Sequence, residues 1–138
     1  GEHFAQYHVS DSGPTFGGGF DFHIQNMNNG GHSTRTLWVS RFDPNMLLVS
    51  RGSDGNIDAP TSQITSGRSQ IRAFSISGTS NAPVAYTAGE VIAWGLRNSV
   101  GMSEDISTGG FVSLFLSLPN IDHILIISSG QSKIPSIT

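Results

Sequence analysis

The stretch Leu37-Trp38-Val39-Ser40-Arg41 has a near-copy further along the chain, Leu47-Leu48-Val49-Ser50-Arg51. Asp43-Pro44-Asn45 follows the first stretch, and Asp54-Gly55-Asn56 follows the second. Asp, Asn, Pro and Gly favour turns, each for its own conformational reason. Two copies are too few for a repeat protein. We therefore predict that the two stretches are the arms of one β-hairpin.

Strand signals continue on both sides of this hairpin. Phe20 to Gln25 alternates, with apolar side chains at 20, 22 and 24, and no segment shows sustained helical periodicity. Turn residues recur at roughly ten-residue spacing, which delimits about eight or nine short antiparallel strands. The pattern predicts an all-β domain, a β-sandwich of the jelly-roll type. We expect one domain over residues 1–138, cut from a larger polypeptide, with under about a tenth of its residues in helix.

Composition excludes several kinds of partner. Only 12% of the 138 residues are charged, the formal net charge is −3, and Lys133 is the single lysine. Nucleic acid and anionic membrane surfaces need clustered cations, so we expect neither as a partner. The most apolar stretch, Phe111 to Ile127, is interrupted by Pro119, Asn120 and Asp122, and is therefore not expected to insert into a membrane.

Motifs for catalysis or metal binding are weak. Asp54-Gly55-Asn56-Ile57-Asp58 has the oxygen spacing that begins a calcium loop, but Ala59 and Pro60 follow it. A turn is the favoured interpretation, and calcium binding there stays open. No nucleophile elbow, phosphate loop or dinucleotide fingerprint occurs, and the five histidines form no ligand-spaced pair. We predict a protein that is not an enzyme and has no cofactor or metal.

Ligand binding is assigned to loops, because the strands are committed to packing. The loops Asn26–Ser33, Gly52–Thr61 and Asn98–Gly110 are rich in small polar residues. Trp38 faces opposite to Leu37 and Val39, so it is either an outward stacking residue or a core residue. Trp94 shares a face with Ile92 and Leu96 and is interpreted as core. The predicted ligand-binding residues are Trp38, Arg51, Asn56 and Asp58, with Arg51 as the anion contact.

Some late strands are apolar on both faces. This holds for Val91–Leu96 and for much of Phe111–Ile127. Strands of this kind need a second layer or a partner subunit. We therefore predict a homo-oligomer that buries these strands; the alternative is that long loops cover them.

The Ser/Thr/Asn/Gly-rich chain, with no cysteine and a single lysine, resembles the small β-domains on the surface of viruses and phages. That class includes capsid protrusions, spikes and fibre heads. The resemblance implies a homotrimer at the virion surface, outside the cell, that binds a host receptor or glycan through its loops. The function expected is thus non-enzymatic host attachment. A free-standing carbohydrate-binding module or lectin is the alternative, and a small β-fold hydrolase is a third, minor one.

Overall fold

The structure, a computed structural model, describes residues 6–9, 21–27, 30–77, 82–116 and 122–127. These residues contain ten strands and three short 3₁₀ segments, Ala59–Ser62, Ile64–Ser66 and Tyr86–Ala88, and no α-helix. None of the described helical segments is long and apolar enough to cross a membrane. The strands are β1 (Gln6–Val9), β2 (Asp21–Gln25), β3 (Leu37–Val39), β4 (Met46–Arg51), β5 (Gln70–Ser75), β6 (Val84–Ala85), β7 (Glu90–Trp94), β8 (Ser99–Glu104), β9 (Phe111–Leu116) and β10 (Asp122–Ile127).

The described strands form three sheets. A four-stranded antiparallel sheet has the order β3-β4-β5-β7, and a three-stranded antiparallel sheet has the order β10-β9-β8. In the third sheet, β1-β2-β6, both pairings are parallel. The prediction of a β-rich chain with little helix is confirmed, but strand pairing is not antiparallel throughout.

The hairpin predicted from the two similar stretches is confirmed. β3 and β4 pair antiparallel, with Leu37 opposite Val49, Trp38 opposite Leu48 and Val39 opposite Leu47. Side chains alternate between the two faces of a strand, so this register places Leu47 and Val49 on one face and Leu48 on the other. All six residues of β4 are buried.

The four-stranded sheet carries a hydrophobic core on each face. On one face, the half-buried side chains of Trp38 and of Met102 in β8 pack against a cluster of buried residues. On the other, buried residues include Ile24 of β2 and Tyr86, with the half-buried Val84 of β6 packed against them. Residues of another sheet therefore pack against each face of the four-stranded sheet. A two-layer sandwich or jelly roll is not confirmed. Of the strands predicted to be apolar on both faces, Val91–Leu96 places Ile92, Ala93 and Leu96 in the first of these cores. The side chains of Phe111–Ile127 lie outside those that the structure describes.

One of the predicted loops changes and another is confirmed. Residues 99–104, expected within a loop, form β8, whose residue Ser99 is buried. By contrast, residues 52–58 have no regular structure, as predicted, and lead into the 3₁₀ segments.

One end of the four-stranded sheet gathers three connections. His32 N donates to Ser53 O over 3.3 Å, Ser53 N donates to Arg97 O over 2.8 Å, and Ser69 N donates to Gly52 O over 3.2 Å. These bonds join residues 30–36, 52–69 and 95–98. We call this the loop end. The turn at 105–110 and the β3–β4 turn lie at the opposite end of their strands.

Candidate functional site at the loop end

The loop at 52–58 is held in shape by its own carboxylates. Asp54 Oδ1 accepts hydrogen bonds from the backbone amides of Gly30 and, at 2.9 Å, Gly31. Asp54 N donates to Asp58 Oδ2 over 2.6 Å. The bond from the Gly31 amide is the main cause that holds the pKa of Asp54 below its ordinary value, and Arg68 adds to it. Asp54 therefore stays ionised and clamps one loop onto another.

Arg68 closes this clamp from the other side. Its Nη1 lies 2.6 Å from Asp58 Oδ1, and its Nη2 lies 3.5 Å from Asp54 Oδ2. The Asp58 side chain is only 4% exposed, so its charge is balanced within the protein.

Two glycines allow the loops to approach. A Cβ at Gly31 would lie 2.3 Å from the Gly55 amide nitrogen, closer than real atoms tolerate. Gly55 itself has a φ of 116°, in the region that glycine adopts freely. Only backbone fits between these two loops, which fixes the position of the residues that follow Gly55.

Asn56 and Arg97 meet on the surface of the loop end. Arg97 Nη2 donates to Asn56 Oδ1, although the two residues lie 41 positions apart in the chain. Asn56 is exposed, and the neighbouring Ile57 is 96% exposed. The loop thus presents an amide and an apolar side chain beside a guanidinium group.

Beneath this contact lie polar atoms without partners. Arg97 Nε and Asn98 Oδ1 are buried and make no hydrogen bond within the described part of the chain. Asn98 is 9% exposed. Buried polar groups normally have partners, so such atoms mark a place where a ligand or water is expected. Because the Arg97 Nε atom is closed off from solvent, a ligand from solution would reach the guanidinium through its Nη atoms, which can donate two hydrogen bonds to a carboxylate.

His32 lies at the edge of this group. Its Nδ1 lies 3.0 Å from both Ser53 O and Ser53 Oγ. Ser53 Oγ also donates to Gly55 O over 2.8 Å. Ser53 therefore connects the histidine to the loop that carries Asn56.

Behind the loops, two arginines flank a buried tyrosine. Arg51 Cζ and Arg72 Cζ lie 5.9 Å and 5.6 Å from the centre of the Tyr86 ring. The Tyr86 hydroxyl lies 2.9 Å from Gln70 O and 3.2 Å from Val49 O. Burial raises the pKa of Tyr86 far above its ordinary value. This group stabilises the base of the loop end and stays inside the protein.

The predicted ligand residues fall in different environments. Asn56 lies on the surface of the candidate site, and Asp58 lies under it in the ion pair with Arg68. Arg51 is 6% exposed and buried against Tyr86, so it is not placed to contact an anion from solution. Trp38 packs against the core, so the outward orientation considered for it is wrong. Its ligand role is not taken further.

Sequence reasoning missed Arg97, Arg68 and the exposure of Trp94. Arg97 follows a strand and carries no local motif. Arg68 is ten positions from Asp58 and belongs to no local motif that would pair the two. Trp94 is 44% exposed, although alternation predicted it in the core.

Metal ligands do not gather at this site. Among the described residues, no group of three or more His, Asp or Glu side chains is placed to hold a metal ion. The carboxylates of Asp54 and Asp58 are engaged by Arg68 and by backbone amides.

Comparison with known proteins identifies the chain. The profile of the TrAA12-like family matches residues 10–124, most of the sequence. The chain belongs to the TrAA12-like family. A pyrroloquinoline quinone-dependent sugar dehydrogenase of Hypocrea jecorina is 46% identical over 100 residues, which cover 71% of this chain and 23% of that protein. A pyrroloquinoline quinone-dependent pyranose dehydrogenase of Coprinopsis cinerea is 44% identical over 99 residues, covering 70% of this chain and 14% of that protein.

Solved structures of TrAA12-like proteins agree with the fold. The calcium structure of Trichoderma reesei Carbohydrate-Active Enzymes Family AA12 superposes with a TM-score of 0.72 and 38% identity, over 79% of this chain and 31% of that one. The holo form of the pyranose dehydrogenase PQQ domain of Coprinopsis cinerea gives 0.65 and 39%, over 75% and 27%. This chain spans about a quarter or less of the length of the curated relatives it matches.

Family membership corrects several sequence-based predictions. The chain is similar to fungal enzymes, so the resemblance to viral or phage surface domains was wrong, as were host attachment, the lectin alternative and the virion location. The prediction that the protein is not an enzyme is contradicted by relatives that are named as dehydrogenases. The expected trimer that binds a host receptor finds no support in these relatives either. The surface composition that suggested a virus is equally compatible with a neutral β-rich enzyme domain.

Proposed function

We propose that this chain is part of a pyrroloquinoline quinone-dependent sugar oxidoreductase, and that its loop end forms one wall of the cofactor site. The relatives at 44–46% identity carry that activity in their names. The observation that carries the assignment to the loop end is the exposed Arg97–Asn56 pair, which presents a guanidinium and an amide side by side.

The residues present fit this cofactor. Pyrroloquinoline quinone is planar and carries carboxylates, which match the donor fork of Arg97. The side chain of Ile57, 96% exposed beside Asn56, offers apolar contact to a flat ring. A negatively charged ligand also complements a surface on which the nearby carboxylates, Asp54 and Asp58, are already paired.

Each residue then has a definite task. Arg97 binds a carboxylate of the cofactor, and Asn56 orients the guanidinium and adds an amide contact. The ion pairs and hydrogen bonds among Asp54, Arg68 and Asp58 hold the Arg97–Asn56 pair in position before the cofactor binds. Binding therefore loses little conformational entropy of the loop. When bound, pyrroloquinoline quinone supplies the ortho-quinone that takes up the electrons removed from the sugar.

The sequence predicted a single β-sandwich domain over residues 1–138, and the present proposal changes the way in which its sheets are stacked. Support comes from the packing of the four-stranded sheet, which has sheet against both faces. Sheets that stack side by side are the arrangement of propeller blades, which are usually antiparallel; here two of the three sheets are antiparallel and the β1-β2-β6 sheet is parallel. We propose such stacking for this chain in place of the two-layer sandwich.

The test is sugar oxidation by the whole protein that carries this chain. The protein is freed of cofactor, supplied with pyranose sugars and an electron-accepting dye, and assayed with and without added pyrroloquinoline quinone. Dye reduction that requires both the quinone and a sugar is expected. No quinone-dependent reduction with any sugar of a broad panel, in a folded sample, would overturn the proposal.

A further inference from the structure

Trp94 differs from the other tryptophan of the chain in its surroundings. Trp38 packs against the core, whereas Trp94 is 44% exposed at the last position of edge strand β7. Its indole Nε1 donates to Thr61 O over 2.9 Å. The indole is therefore fixed by its polar edge, and part of its apolar surface faces solvent.

The backbone around Trp94 sets this orientation. Gly95 has a φ of 89°, and the amides of Gly95 and Leu96 both donate to Ser69 O, at 2.9 and 3.1 Å. The chain turns sharply there, and Leu96 enters the core while Trp94 stays outside. Apart from its two chain neighbours, a Cβ at Gly95 would meet nothing within 4 Å, so the outer side of this turn is open.

The segment that accepts the indole hydrogen bond carries exposed polar side chains. This segment contains two 3₁₀ turns, Ala59–Ser62 and Ile64–Ser66. Ser62, the last residue of the first turn, and Gln63, between the two turns, are both exposed. Ser62 Oγ donates its hydrogen to Ala59 O over 2.8 Å, so the same oxygen can still accept a hydrogen bond through its lone pairs. Exposed Ile64, at 45%, adds a small apolar contact. An oriented indole next to a segment that exposes a hydroxyl and an amide side chain suits a pyranose ring, which has an apolar face and a rim of hydroxyls.

We propose that Trp94 is a saccharide-binding residue, which stacks on a pyranose unit of an oligosaccharide at the loop end. The inference deepens the proposed function, on which it rests for the class of substrate. Arg97 lies three residues beyond Trp94 on the same turn, so a sugar on the indole is held at the end of the sheet that carries the proposed cofactor wall. Trp94 would thereby favour oligosaccharides over single sugars, because a second unit gains a contact.

The test is calorimetric binding of cellotriose and maltotriose, with glucose for comparison, to the whole protein and to Trp94→Ala. The wild type is expected to bind at least one trisaccharide more tightly than glucose. Trp94→Ala is expected to bind it about tenfold more weakly, and Trp94→Phe to lie between, since a ring face is retained. Ile106→Ala, which changes a residue 72% exposed in the turn at the opposite end, is the matched control and should leave the affinity unchanged.

Two outcomes would overturn the inference: no trisaccharide binding by the wild type, or equal affinity of Trp94→Ala and wild type. The affinity of the same proteins for pyrroloquinoline quinone is measured in parallel. Trp94→Ala should bind the quinone as the wild type does, which also shows that it is folded. Absence of quinone binding in the wild type counts against the proposed function alone, and the trisaccharide result still decides the role of Trp94.

Discussion

Arg68 and Asp58, ten positions apart, form an ion pair of 2.6 Å in which the carboxylate is almost fully buried and the guanidinium is partly exposed. The same arginine reaches Asp54 at 3.5 Å. One cation thus fixes both ends of the loop that presents Asn56. The relationship makes the loop a preorganised part of the site.

Removal of Arg68 should therefore destabilise the protein. Arg68→Ala leaves the Asp58 carboxylate buried without its cation, and we expect a loss of about 1–3 kcal/mol in the free energy of unfolding, less than for a fully buried pair because Arg68 is partly exposed. Urea denaturation measures this loss. The double variant Arg68→Ala, Asp58→Asn should recover part of it, because the uncompensated charge is gone. Equal stability of Arg68→Ala and wild type would contradict the clamp.

Gly31 tests the close approach of the two loops. Gly31→Ala places a methyl group where the Gly55 backbone lies, so the loops must separate and Asp54 loses its amide donors. Weaker quinone binding is expected, with strands β4 and β5 intact, as judged by circular dichroism and by titration of the quinone. The matched control is Gly30→Ala, because a Cβ at Gly30 meets only Asp54 Oδ1 at an ordinary 3.5 Å. Identical quinone affinity of Gly31→Ala and wild type would show that this approach does not shape the site.

Acid should weaken the loop end through Asp54. The folded-state pKa of this group is lowered, chiefly by the Gly31 amide, so its stabilisation is present above the unfolded pKa of about 3.9 and is lost as pH falls through the lower folded value. Asp54→Asn should flatten the pH dependence of stability in that acid range. Asp105, whose pKa is lowered first by the Ser107 hydroxyl, contributes with the same sign. Asp105→Asn is thus the comparison variant, and an unchanged acid profile in the double variant would refute the account.

Tyr86 makes the opposite prediction on the alkaline side. Its pKa is raised by burial, so stability is full below the unfolded pKa of about 10 and declines as pH rises beyond it. Tyr86→Phe should lose about 1–2 kcal/mol at neutral pH, because a buried hydroxyl bond to Gln70 O disappears, and should show a flatter alkaline decline. Denaturation between neutral pH and strongly alkaline pH measures both effects. A Tyr86→Phe protein that declines as steeply as wild type would be inconsistent with the buried phenol.

Glu104 links β8 to the end of β3. Its carboxylate accepts from Ser40 Oγ at 2.5 Å and from Arg41 N at 2.6 Å, and it is 7% exposed. Glu104→Ala removes both bonds and leaves the donors unsatisfied, so a loss of about 2–4 kcal/mol is expected. Glu104→Gln retains an acceptor and should lose less. Thermal denaturation that ranks the two variants in the reverse order would count against this link.

The pairing of the β3–β4 hairpin could be predicted from the sequence, because the similar stretches and the turn residues are local signals; its first strand, Leu37–Val39, is shorter than the predicted arm. The sequence also placed Asn56 in a loop, and the structure shows that residue exposed and outside any strand or helix. The prediction that Trp94 lies in the core is wrong, and the error has a physical cause. The β5–β7 pairing shifts register between Ile71 and Arg72, so Val91 and Ala93 find partners while Ile92 lies between them. Strict alternation, on which the core assignment depended, does not hold there.

The remaining errors concern contacts distant in the chain. Arg97 and Asn56 are 41 positions apart, and no pattern in either neighbourhood predicts their hydrogen bond. The Val91–Leu96 strand was assigned to a subunit interface, whereas Ile92, Ala93 and Leu96 pack in a core of the same chain together with Met102 of β8. Composition limited the class of surface but could not separate an attachment domain from an enzyme domain, because both tolerate a neutral surface.

The most direct test of the central claim is the affinity of the whole protein for pyrroloquinoline quinone, measured by equilibrium titration for wild type, Arg97→Ala and Arg97→Lys. Arg41→Ala, which changes an exposed arginine at the opposite end of the sheet, is the control. The account predicts that Arg97→Ala binds about tenfold to a hundredfold more weakly, that Arg97→Lys recovers only part of the affinity because it lacks the two-pronged geometry, and that Arg41→Ala binds normally. Equal affinity of wild type and Arg97→Ala would contradict the claim that the loop end forms a wall of the cofactor site.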